Sequence, residues 1–240
     1  LTLADYTFLI GLLKSDVNFV DNHRLNTRLI AVEYDDTPDN RRALERQVER
    51  ELRYLGSADL AYAFRYVTGQ PPGVPFREVV LDAAKVLKVD LSPLGTDREL
   101  VERLVEDYAT QQFASLSPKQ QREMLEDLGV EQERAAAFIK KSAGVFAVPA
   151  LIKAFGVVVV DGLIKTVVFG TIAKIIGRQL ANRLFQMLVA RFPWWVRWIG
   201  PVAWSASIGW AVLDIQGPAY RKTVPAVLYL GLCSLRERNG

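Results

Sequence analysis

Few residues in this chain have the type and spacing that chemistry asks for. One histidine, His23, stands beside Asp21 and Asn22 on a polar stretch, and one cysteine, Cys233, lies in an apolar run. A nucleophile needs a base within hydrogen-bond reach and a third group to orient that base, and no Ser, Cys or His has such a context here. A single cysteine excludes an intramolecular disulfide and any multi-cysteine metal site, and it fits a reducing cytoplasm. The sequence has no phosphate-cradling glycine loop and no His/Cys set at metal-ligand spacing. Asp35-Asp36 reads as a surface acidic pair and His23 as a loop residue. An enzyme is not expected, nor a metal or cofactor.

The charges with a pattern lie later in the chain. Lys153, Asp161 and Lys165 are separated by multiples of four, with Val157 between, which places them along one drifting helical face. Asp161 and Lys165 form an i,i+4 pair in the better orientation. Two readings stand. The stripe is the exposed edge of a helix otherwise buried in a soluble bundle, or it faces water while Phe146, Leu151, Val158, Val159, Leu163 and Val167 face lipid or line a pore. Between Thr171 and Arg191 the polar face is Lys174, Arg178, Gln179, Asn182, Arg183 and Gln186. Against it stand Ile172, Ile175, Ile176, Leu180, Leu184, Leu188 and Val189, the pattern of an interfacial helix.

An aromatic cluster follows at once: Phe192-Pro193-Trp194-Trp195-Val196-Arg197-Trp198, just past Arg191. With Trp204 and Trp210 it completes the chain's five tryptophans. Such rings settle at a headgroup boundary or fill a core, and both readings stay open. A nucleic-acid surface is disfavoured, because the apolar face is too continuous for one.

These groups belong to a mostly apolar stretch from about Lys140 to Leu235. Its uncharged windows, 142–152, 154–160, 166–173, 198–213 and 223–235, all fall short of the roughly 20 residues a spanning helix needs. Pro149 is placed to kink the first. It is a conditional membrane segment and not a row of ordinary spans.

The 240 residues suffice for one large domain or two small ones with a real core, and 50% of them are hydrophobic. The formal charge of +3 conceals a split. Residues 140–222 hold eleven basic residues against Asp161 and Asp214, a net of +9, while residues 1–139 hold 17 basic and 24 acidic residues, a net of −7. The basic half can dock on the acidic half or seek an anionic partner. The opening Leu-Thr-Leu-Ala-Asp carries neither an initiator Met nor a basic lead-in to an apolar run. A signal peptide is not expected from it, and a chain that begins inside a longer protein is.

The acidic half reads as capped helices. A first helix from Thr2 carries Phe8, Leu9, Leu12 and Leu13, and residues 15–36 fit short strand or helix equally. Thr37-Pro38 starts a helix bearing Leu44, Val48, Leu52 and Leu55 and ending at Gly56. Its Arg46, Glu49, Arg50, Glu51 and Arg53 form a solvated or docking face. Ser57 caps a short helix with Leu60, Ala61, Phe64 and Val67, and a Gly/Pro loop follows over 69–75. Phe76, Val79, Val80, Ala83 and Leu87 mark the next helix. Thr96 with Glu99 and Ser117 with Gln120 are capping boxes, and Gly129 ends the helix that the second begins.

The string Gly217-Pro218-Ala219-Tyr220-Arg221-Lys222-Thr223-Val224-Pro225-Ala226-Val227, with Gly200-Pro201-Val202-Ala203-Trp204 upstream, resembles the YaaW-like family of bacterial proteins. The likeness extends back through Glu51-Leu52-Arg53-Tyr54-Leu55-Gly56 and Val80-Leu81-Asp82-Ala83-Ala84-Lys85-Val86-Leu87, and so covers about residues 40–236. Some members of that family are grouped with the ubiquinol–cytochrome c chaperones, which implies a helical assembly factor working near a membrane. Pro218 and Pro225 are expected to set chain direction at two helix ends. Tyr220 and Arg221 either bind a carboxylate or lipid headgroup or lock the last helix.

The expectation is an all-α, multi-helix bundle, with an acidic domain over 1–139 and an apolar, basic, Trp-rich region over 140–240. The expected activity is membrane action, as a pore-forming or membrane-disrupting effector inserted on triggering. The alternatives are a chaperone holding a hydrophobic client at the membrane and a purely structural helical domain. The expected partners are an anionic membrane surface, a hydrophobic client or a second copy, and the expected location is the cytoplasm with membrane association.

Overall fold

The computed structural model describes residues 1–13, 19–56, 73–176 and 220–239. The secondary structure among them is helical throughout: α1 (Leu3–Leu13), α2 (Phe19–Tyr34), α3 (Pro38–Leu55), α4 (Phe76–Leu87) and α5 (Asp97–Ser115) come first. Then come α6 (Pro118–Asp127), α7 (Gln132–Ser142), α8 (Val148–Phe155), α9 (Val157–Ile176) and α10 (Tyr220–Asn239). The all-α expectation holds. The helix expected over 57–67, most of the 171–191 amphipathic stretch and the tryptophan cluster lie outside the described residues.

Local chemistry sets most of the boundaries. Thr37 caps α3 by accepting the Asn40 N–H, with Pro38 in the first turn. Ser117 and Gln120 satisfy each other's backbone N–H groups at the start of α6, and Thr96 and Glu99 do the same for α5. The ambiguous stretch after residue 15 is helix from Phe19, and His23 lies exposed on α2, not in a loop as expected. On α3, Glu51 is buried with Gln47, so the charged face is narrower than its sequence suggests.

The chain forms two compact units, 1–101 with 215–240 and 102–214. The charge boundary at 139/140 therefore falls inside the second unit, within α7. In the first unit, α10 packs on α1, α3 and α4, and α2 packs on α3. Val224, Ala226, Val227, Leu228, Tyr229, Leu232, Cys233 and Leu235 are all buried there, and the Phe8 and Tyr229 rings lie 4.2 Å apart. Pro225 stands inside α10 and not at a helix end as expected. Its missing N–H leaves the Arg221 carbonyl without its usual helical donor.

The second unit is organised around α9. Val160, Leu163, Ile164, Val167, Val168, Phe169 and Ile172 are buried, so the helix is apolar nearly all round, as a core helix must be. Tyr108 on α5 shares a buried hydrogen bond of 3.0 Å with Thr171. Gly162 faces α6 so closely that a Cβ would come within 2.7 Å of Leu128 Cδ2.

Candidate membrane-contact surface

One buried polar cluster lies in the first unit. Asp5 on α1 is fully buried and accepts hydrogen bonds from Thr2 N (2.6 Å), Thr2 Oγ1 (2.7 Å), Tyr229 OH (2.9 Å) and both Arg236 Nη atoms (3.2 and 2.7 Å). Burial alone would raise its pKa, but the bonds from Arg236, Thr2 and Tyr229 together hold the carboxyl well below the usual range. Burial and the Asp5 charge push the neighbouring Cys233 thiol up to about 12, so it stays protonated at neutral pH. The cluster ties α1 to α10 and holds no nucleophile. Among the described residues no group of His, Cys, Asp and Glu could hold a metal ion.

The other candidate lies where α7, α8 and α9 meet. From Arg134 to Val160 the sequence has no Asp or Glu, and Arg134, Lys140, Lys141 and Lys153 are exposed. The chain leaves α7 through two left-handed residues, Ala143 (φ 47°) and Gly144 (φ 84°). It then lays Val145 in the open, 78% exposed, while Phe146 turns inward. Phe146 packs edge-on against Phe113 with centroids 4.8 Å apart, and Phe138 meets Phe155 edge-on at 4.7 Å. These rings anchor the segment from below. Above them Ile152, Val157 and Val158 reach solvent, Val158 at 82% exposure. The exposed lysines and these bare apolar side chains share one acid-free run, the basic apolar tip.

Two expectations about this region need correcting. Pro149 lies in the first turn of α8, where a proline costs no hydrogen bond, and it does not kink a longer helix. Gly156 breaks the chain between α8 and α9 with φ 87° and ψ 163°. Lys153 thus sits on α8 and does not share a helical face with Asp161 and Lys165. Those two do form their ion pair, half-buried along α9. Of the six residues assigned to a lipid or pore face, Phe146, Leu151, Leu163 and Val167 are buried in the bundle. Val159 is half-buried, and Val158 is bare.

Lys174 is exposed on α9. Arg178, Arg183, Arg191, Trp194, Trp195, Arg197, Trp198, Gly200, Pro201, Trp204, Gly217 and Pro218 lie outside the described residues. Tyr220 and Arg221 are exposed at the start of α10, in the first unit. The sequence reading missed Val145, Val157, Arg134 and Gly156. The signal available was the acid-free run from 134 to 160 with glycines at 144 and 156. No helix of the described residues is long and apolar enough to cross a membrane.

Set against known proteins, the chain matches no family model and no solved structure. It is 25% identical over 225 residues to a "UPF0174 protein" of Helicobacter pylori strain J99, a match covering 90% of this chain and 81% of that protein. A "UPF0174 protein" of strain 26695 is 21% identical over 198 residues, 80% of this chain and 88% of the relative. What the chain resembles, over most of its length, is an uncharacterised bacterial family.

Proposed function

We propose that this protein acts at membranes, from the cytoplasmic side, through the basic apolar tip of its second unit. One observation carries the reading: Val145 and Val158 are almost fully exposed within an acid-free, lysine-flanked run. Bare branched side chains have apolar surface to bury, and lysines beside them gain from anionic headgroups at about 1 kcal/mol each. The pairing of the two is what an interfacial contact requires. Membrane disruption on triggering is part of the proposal, and it rests on the second unit, because α10 forms the core of the first.

The likeness to the YaaW-like family, with its chaperone-grouped members, belongs to the same proposal. A client-holding assembly factor would use the same bare tip. Cosedimentation with vesicles separates the two. Phosphatidylglycerol-containing vesicles are expected to bind the protein and pure phosphatidylcholine vesicles to leave it in solution. Val145→Asp with Val158→Asp is expected to weaken binding at least tenfold without unfolding, since neither side chain is in the core. No binding to either vesicle would end the membrane reading and leave the client reading in its place.

A further inference from the structure

The break between α8 and α9 reaches further than surface contact. Gly156 occupies a backbone region that is strained for every residue except glycine. A Cβ on it would meet nothing within 4 Å, so no neighbour crowds the position and only the torsion calls for glycine. Straightened there, α8 and α9 would make one helix from Val148 to Ile176, about 29 residues and roughly 43 Å long. Between Val148 and Ile164 that helix would carry two charges, Lys153 and Asp161. Lys153 would then line up with Asp161 and Lys165 on one face.

The broken form has an identifiable hold. In a continuous helix the N–H of Val158 would bond to the carbonyl of Ala154. The guanidinium of Arg134 now donates to that carbonyl and lies 5.8 Å from the centre of the Phe155 ring. Otherwise α8 is lightly held, with Leu151 its one buried residue and Phe155 resting on Phe138. In water the interrupted ladder can be completed by solvent. In hydrocarbon it cannot, and every unbonded backbone group there is costly. A bilayer thus favours the continuous helix.

We propose that Gly156 is a hinge at which α8 and α9 straighten into one helix when the tip enters an anionic bilayer, with Arg134 the latch on the broken form. This rests on the membrane reading above and adds its conformational step. Two adjacent substitutions push the hinge in opposite directions. Gly156→Ala strains the break and favours helix. Val157→Pro suits the broken form, where residue 157 opens α9, but lies inside the continuous helix and disfavours it about a hundredfold.

The readout is the distance between spin labels at Ala150→Cys and Lys174→Cys in a Cys233→Ala background, taken with cosedimentation on phosphatidylglycerol vesicles. The native backbone should lengthen to about 36 Å on vesicles and be shorter in solution. Val157→Pro should cosediment within about twofold of the parent and keep the solution distance. Gly156→Ala should reach the long distance at about tenfold less lipid, and Arg134→Gln should shift the same way. If the parent cosediments without lengthening, or Val157→Pro lengthens like it, the hinge is wrong and the membrane reading stands. If the parent does not cosediment at all, both fall.

Discussion

A carboxylate removed from water persists only when its acceptor sites are filled. Asp5 has five donors around it, from Thr2, Tyr229 and Arg236. Its folded pKa lies below the unfolded value of about 3.9, so it binds fewer protons folded than unfolded. Its contribution is therefore fully present above about pH 5 and fades as pH falls through 4 toward the folded pKa. Asp5→Asn should cost about 3 kcal/mol at pH 7 in denaturant melts. The gap between variant and parent should narrow below pH 4. A constant gap from pH 7 to pH 2 would mean that Asp5 acts through packing alone. None of this was legible in the sequence. Asp5 stands in the first turn of α1, and its principal partner is 231 residues away.

Helix termini were readable because their chemistry is local. Thr37-Pro38, Thr96 with Glu99 and Ser117 with Gln120 each satisfy orphan N–H groups within four residues, so sequence spacing contains the whole interaction. The division of the apolar region was not readable. Phe155-Gly156-Val157 has helix-compatible apolar residues on both sides, and the Arg134 guanidinium that takes the Ala154 carbonyl comes from α7, 20 residues away. The regular spacing of Lys153, Asp161 and Lys165 described the unbroken helix, which is the other end of the proposed hinge. Gly162 tests the packing of the same element. It lets α9 approach Leu128 closely, so Gly162→Leu should overpack the contact and cost about 2 kcal/mol. Gly162→Ala should cost much less, because a leucine terminus can turn aside and alanine favours helix. Thermal melts that rank the two the other way would refute the close contact.

At the scale of the whole chain, the net charge of +3 says little about partners, because positive charge is concentrated where acidic residues are absent. From Arg134 to Val160 all the charge is basic, and the exposed valines lie in the same run. An anionic surface meets that region before it meets the chain's average, provided salt does not screen it. The Debye length is about 8 Å at physiological ionic strength and about 3 Å at 1 M. Binding to phosphatidylglycerol vesicles should thus weaken steeply as salt rises. Reversing Lys140, Lys141 and Lys153 to Glu should abolish it at physiological salt, at about 1 kcal/mol for each lysine lost. All three side chains are exposed, so the reversal should leave thermal stability nearly unchanged. The valines should behave differently from the lysines. Val145→Asp with Val158→Asp should weaken binding at every salt concentration, because apolar burial is not screened. If salt and lysine reversal leave affinity untouched while the valine changes destroy it, the tip recognises apolar surface without regard to charge. A hydrophobic client would then describe its partner better than an anionic bilayer.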